Sequence, residues 1–408
     1  MRTLRRIVDL GPGAIIHPGS SGDLRFHDNR AHLAATRTGW VRMWADWPSL
    51  QPDGAIAIDD PANPGFFRLQ AMDEQIAAAC ADNLRVLLMP YRFPVWANGT
   101  AALAAVRNTD AEASESAPDR MSAATWRRYL ASDRDPARYN PSRRALEFRI
   151  PDEGVGDGTA WAGFLEFLYA RYHLGQEASG RFVHGFELVN EPNFQLWPQR
   201  APSPTDDPFA TGPLTVQHTM AQYMAGAQAV AARHGDTTML FAPSTADSEV
   251  LGRTVTPHLE FAAALLDALD EIGYHPSPQQ AWAHHNYTDL ERRSEATQTQ
   301  LLRAVLKDRW WGYVDGADPT VFLTEGGVRL SRMRDYYPDE DPLEAQARSI
   351  ALAGERHARD DGPGAGVAML AQYTLYADPR FDTGLLDPWP STRRRPSYDA
   401  WAALPSQP

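Results

Sequence analysis

Two glutamates pose the first chemical question. Glu191 closes the apolar run FELVNEP, and Glu325 closes a second one, VFLTEGG. Alone, each reads as a helix-cap neighbour or an ion-pair partner. Together, two carboxylates flanking one bond are what glycoside hydrolysis needs: one protonates the departing oxygen, and the other attacks the anomeric carbon or activates water. Arg42, in RMWADW, lies on a strand heading into an interior, where an unpaired guanidinium is costly and a carboxylate partner is expected. Glu325 is the expected partner. A nearby cation would lower its pKa and keep it ionised, whereas an acid at Glu191 needs a raised one.

In AHHNYTD, alternation along a strand sets His285 and Tyr287 on one face and His284 and Asn286 on the other. A metal held by the histidine pair is disfavoured, because adjacent strand residues point apart and no third ligand recurs at a zinc spacing. His284 reads as a structural, hydrogen-bonded residue.

These residues need elements to position them. Eight short apolar runs read as strands, beginning at Ala14, Trp40, Leu84, Phe182, Thr237, Ala281, Thr320 and Gly366. Between them, apolar residues at three- and four-residue spacing mark helices over 66–81, 161–172, 220–232, 261–272, 301–311 and 342–358, with a last helix capped by Ser397. The expected fold is a (β/α)8 TIM barrel, one domain over residues 1–408, with a long insertion after strand three at 98–158 that holds a possible short helix at Trp126 to Leu130. In such a barrel Glu191 and Glu325 end strands four and seven, across the barrel from one another at the face where chemistry sits. A separation of about 5–5.5 Å would make the pair that of a retaining enzyme. The two glycines after Glu325 are expected to turn the chain and leave room for a ligand.

With NEP after strand four, a strand-seven glutamate and eight βα units, the chain resembles the retaining glycoside hydrolases of clan A, nearest to families 5 and 39. The resemblance implies that Asn190 binds the sugar 2-hydroxyl, Glu191 is the general acid/base and Glu325 the nucleophile. It also implies that Tyr287 hydrogen-bonds the nucleophile and His285 contacts substrate. Many clan members end strand eight with tryptophan; here MLAQYTLYAD offers Gln372, Tyr373 and Tyr376, so Tyr373 or Trp389 is expected at that place. Trp47, Trp96 and Trp197, at strand ends or in following loops, are candidates for stacking on sugar, while Trp40, Trp161 and Trp401 read as packing. The expected function is a retaining O-glycosidase on a carbohydrate substrate, needing no cofactor and no metal. The alternatives are a transglycosidase on the same fold and a catalytically inactive carbohydrate-binding barrel.

Composition narrows the partners. The 39 Lys and Arg against 52 Asp and Glu give a net charge of -13, which repels a phosphate backbone, and the arginine runs are too short to reverse it. The single cysteine, Cys80, excludes a disulfide framework and reads as a buried inert thiol. No window approaches the roughly 20 apolar residues of a membrane span. The N-terminal MRTLRRIVDLGPGAII breaks any apolar stretch with Asp9, glycine and proline, so no leader and a cytoplasmic location are expected.

Overall fold

A computed structural model describes residues 5–11, 26–98, 147–148, 150–151, 158–196, 199, 214–247, 255–293, 297–315, 318–359, 366–378 and 381–405. Eight parallel strands close on themselves: β1 (Arg5–Asp9), β2 (Trp40–Asp46), β3 (Arg85–Tyr91), β4 (Gly185–Glu187), β5 (Met239–Phe241), β6 (Gln280–His285), β7 (Val321–Glu325) and β8 (Val367–Tyr373). Each pairs with the next, and β8 pairs with β1, so the barrel has no open edge. The two residues Thr245–Ala246 extend the β5 side alongside His284 and His285. Ten α-helices of six or more residues surround it: α1 (Phe26–Ala35), α2 (Phe66–Ala81), α3 (Ala160–Tyr172), α4 (Thr215–His234), α5 (His258–Glu271), α6 (Tyr287–Arg292), α7 (Gln298–Leu306), α8 (Leu330–Tyr336), α9 (Pro342–His357) and α10 (Pro396–Ala403). That count covers the described residues.

Alternation along each strand sorts side chains into two cores. Ile7, Trp40, Leu87, Phe241, Ala281, Ala283, Phe322, Met369 and Ala371 fill the barrel, while their neighbours Val8, Val41, Leu88, Trp282 and Leu323 join the larger core under the helices. On β4 the interior position is Gly185, where a Cβ would come within 2.6 Å of the Phe241 ring, so the missing side chain makes room for that ring. The apolar plug fills the lower barrel and leaves the next inward position on several strands to polar groups: Asp9, Arg42, Glu187 and His285.

Two expectations change, and a third falls outside the described residues. The first strand is Arg5–Asp9; the run from Ala14 lies outside the described residues. On this strand Arg6 is fully buried, with Nη1 donating to the Trp401 carbonyl at 2.5 Å and Nη2 to that of Arg37 at 3.0 Å. The last helix is capped at Arg395, with Pro396 in its first turn, so Ser397 is inside it and buried. The 98–158 insertion, Trp126 to Leu130 included, lies outside the described residues except for 98, 147–148, 150–151 and 158.

Candidate active site

Arg42 is the hub. It is fully buried, so each of its five N–H groups needs an acceptor, and each has one. Nε donates to Glu187 Oε2 at 3.0 Å and Nη2 to Glu187 Oε1 at 2.5 Å, a bidentate fork. Nη2 also reaches Asn190 Oδ1 at 2.7 Å, and Nη1 is shared between Glu325 Oε2, at 2.7 Å, and Asp9. Burial alone would lower the Arg42 pKa; Glu187, Asp9 and Glu325 outweigh it and hold the group well above its ordinary value. Asp9 is held in turn by the Trp44 indole N–H at 2.7 Å and the Gly11 N–H at 2.6 Å, and Ser244 donates to Glu187 at 2.5 Å.

Around this hub stand the two glutamates. Glu325 Oε1 accepts from the Tyr287 hydroxyl at 2.7 Å; Glu191 Oε1 lies 2.8 Å from His285 Nδ1, and its Oε2 accepts from Gln195 at 3.3 Å. Ligand atoms of Glu191, His285 and Glu325 all lie within 4.8 Å of one another, so the two carboxylates approach at least that closely. Burial pushes the Glu325 pKa up to about 7, helped by Asp9 and Glu191 and opposed by His285 and Arg42. This reverses the expected direction: Arg42 divides its charge among three acids, so its pull on Glu325 is weaker than the cost of burying the carboxylate. Burial lowers the pKa of His285, yet Glu325 and the bond to Glu191 turn the net shift upward.

Local backbone irregularity aims both glutamates. Glu191 has φ of +42°, a left-handed conformation that a non-glycine side chain adopts only when its surroundings impose it. The following Asn193 supplies that constraint: it donates to the carbonyls of Ala246 and Thr256 at 3.0 and 3.1 Å and accepts from Ala246 N–H at 2.9 Å. On β7, Phe322 points inward and Leu323 outward, so strict alternation would turn Glu325 away. A register shift between Leu323 and Glu325 brings it back to the hub. Gly326 and Gly327 leave room for protein rather than ligand, since a Cβ on either would come within 2.6 Å of Asn286 Oδ1 or 2.9 Å of Thr383.

Asn190, Arg42, His285 and Tyr287 thus converge on the glutamate pair. His285 bonds Glu191 in place of presenting a free face, and His284 points out to Thr245 at 3.0 Å. The argument against a metal changes as well: the histidine pair diverges, but His285 gains two carboxylate neighbours. Tyr373 reaches the site, its hydroxyl close enough to Glu325 and Asp9 for both to add to the burial that raises its pKa well above the ordinary value. Trp389 packs instead on Tyr376, ring centroids 5.4 Å apart, at 42% exposure.

The stacking tryptophans are placed elsewhere. Trp47 starts a helical turn with Pro48, which swings its ring into the helix layer, where it is buried and stacks on Phe164 at 4.7 Å. Trp96 packs edge-on against Trp47 and donates to the Gln51 carbonyl at 2.9 Å. Trp197 lies outside the described residues. The aromatic groups linked to the hub are others: Trp44, under the Arg42 guanidinium at 4.9 Å and edge-on to Tyr91 at 4.5 Å, and Phe381, which meets both Tyr287 and Tyr373. Asp9, Trp44 and Glu187 were not read as site residues in the sequence. The signal was there: inward positions on strands β1, β2 and β4 carrying a charge or an indole N–H that a closed barrel must satisfy.

No family model matches the chain, and no curated protein does. Solved structures do. Over 98% of its length the chain superposes on 99% of an endo-β-1,4-glucanase from Xanthomonas axonopodis pv. citri, with TM-score 0.51 and 14% identity. It superposes over 98% on 80% of a GH5_18 protein from Streptomyces cattleya in complex with GlcNAc, with TM-score 0.51 and 15% identity. It spans 64% of the length of a family 39 glycoside hydrolase from Bacteroides cellulosilyticus, at 13% identity and TM-score 0.48. At this identity the likeness to these proteins establishes the (β/α)8 fold.

Proposed function

We propose that the protein is a retaining glycoside hydrolase that cleaves O-glycosidic bonds by double displacement, with Glu191 as general acid/base and Glu325 as nucleophile. The observation that carries this reading is the approach of the two carboxylates, from opposite strands, to within 4.8 Å. That is the close spacing of a direct nucleophile and not the roughly 6.5–9.5 Å that leaves room for an intervening water. In the first step Glu325 Oε2 or Oε1 bonds the anomeric carbon as the glycosidic C–O bond breaks, and Glu191 gives its proton to the departing oxygen. In the second, Glu191 takes a proton from water, whose oxygen displaces Glu325. Arg42 and Tyr287 hold the Glu325 carboxylate from two sides, which orients it and stabilises the ionised form it needs for attack. Asn190 is anchored through its Oδ1, leaving its NH2 to donate to a sugar hydroxyl.

A panel of nitrophenyl glycosides and plant and bacterial oligosaccharides tests the reading. Glu325→Ala should abolish turnover, and azide should restore part of the activity of Glu191→Ala on an aryl glycoside. With the Glu325 pKa near 7, kcat/KM should fall about tenfold per pH unit below that value, because protonation removes the nucleophile. Wild-type rates in Glu325→Ala would overturn the assignment.

A further inference from the structure

We propose that Glu191, His285 and Glu325 also form a divalent transition-metal site, taking zinc most readily, that overlaps the reacting pair, so that metal and substrate exclude one another. The site goes beyond the proposed reaction and stands on geometry alone.

Two carboxylates and an imidazole are a donor set zinc accepts, as oxygen and nitrogen ligands at about 2.0–2.2 Å. Tetrahedral coordination at those lengths sets ligand atoms about 3.3–3.6 Å apart. His285 Nδ1 is 2.8 Å from Glu191 Oε1 and 3.9 Å from Glu325 Oε2, on either side of that span, and all three ligand atoms lie within 4.8 Å. Closing the set around an ion draws the most separated ligand atoms together by up to about 1.2 Å, from within 4.8 Å to about 3.6 Å, a movement shared between two side chains.

Two further observations favour a cation. Asp9, Glu187, Glu191 and Glu325 are four carboxylates gathered around one guanidinium, Arg42, and one imidazole, His285. Asp9 and the bidentate Glu187 carry two negative charges against the one on Arg42, which weakens its repulsion of an ion, although Glu325 Oε2 also accepts from Nη1 at 2.7 Å and would lie between guanidinium and metal. In addition, His285 Nε2 is buried with no hydrogen-bond partner among the described residues and faces Glu187 Oε1 3.9 Å away. A ligating histidine usually donates its second ring N–H to a carboxylate that fixes its orientation, and Glu187 stands where that carboxylate belongs. Glu191 and Glu325 remain 8% and 6% exposed, enough to leave an outward coordination position to water.

The test is calorimetric titration of metal-free, full-length protein with zinc chloride. The expected result is one equivalent bound, with affinity falling at least about 10–100-fold in both Glu191→Gln and Glu325→Gln. Cobalt(II) on the wild-type protein needs no variant: a visible spectrum of tetrahedral type, displaced by zinc, is expected. Absence of binding at millimolar zinc, unchanged affinity in both folded variants, or an octahedral cobalt spectrum would each overturn the site. Because binding is read without substrate, it can fail while the glycosidase reading survives, and the reverse. For an active enzyme, zinc should raise the apparent KM and leave kcat unchanged, with EDTA reversing the effect.

Discussion

Arg6 and Arg42 lie on neighbouring strands of one barrel, both fully buried, and meet opposite company. Arg6 points outward from β1 and is received by backbone carbonyls at the end of α10 and by that of Arg37, with Nε unpaired among the described residues. Burial, with Arg37 adding to it, lowers its pKa to about 10. Arg42 points inward from β2 to three carboxylates and is held well above its ordinary value. A helix C-terminus offers partial negative charge that completes a fold; full carboxylates gathered on one cation, Glu325 among them re-aimed by a register shift, are what chemistry requires. The same residue type in the same burial therefore serves structure on the outer face and reactivity within.

The strongest way to break that comparison is to remove the inner cation. Arg42→Met leaves Asp9, Glu187 and Glu325 buried without their common partner, so a loss of about 3–5 kcal/mol is expected in urea unfolding, together with loss of turnover. Near-normal stability would mean that protons, not Arg42, balance the cluster. Tyr287→Phe sharpens the point, since it deletes one donor to Glu325 and no charge. It should cost about 100-fold in kcat/KM while stability stays within about 1 kcal/mol. An equal loss of stability and rate would make Tyr287 a structural residue.

The inner cluster was only half legible in the sequence, for physical reasons. Glu191 and Glu325 stand out because each closes an apolar run, and the eight runs with helical spacing between them were enough for the barrel. Nothing in residue order reports the left-handed backbone at Glu191 or the register shift before Glu325, and these decide where both side chains point. Glu187 hid inside a strand that reads as greasy. Asp9 was read only as a break in the N-terminal apolar stretch, because the strand it ends is five residues long and opens on two arginines. Trp47 misled because loop position says little about ring direction once Pro48 starts a helical turn.

The outer arginine gives the matching control. Arg6→Met removes donors from the Trp401 and Arg37 carbonyls but leaves no acid stranded, and it relieves an unpaired Nε. A loss of about 1–3 kcal/mol is expected, with kcat/KM unchanged. A change in kcat/KM at constant stability would show that the two regions communicate through β1.

Asp247 tests whether an acid at the reactive end of the barrel behaves as the comparison requires when no arginine among the described residues is bound to it directly. It follows the strand extension beside His285, and its carboxylate accepts from the Thr288 N–H. Arg329, the nearby cation, is taken by Glu291 at 2.5 and 2.7 Å. Burial, then Asp289, and Glu291 more weakly, push the Asp247 pKa from 3.8 to about 8. Between those values the folded protein keeps a proton that the unfolded chain has lost, so stability falls as pH rises through the window and levels off above about 8. Asp247→Asn keeps an acceptor for Thr288 and removes the titration. The stability difference between wild type and variant, from chemical unfolding at a series of pH values, should move by up to about 1.4 kcal/mol per pH unit in the variant's favour between about 4 and 8. Parallel profiles would mean that Asp247 is ionised in the fold and that Arg329, despite Glu291, is its counter-ion.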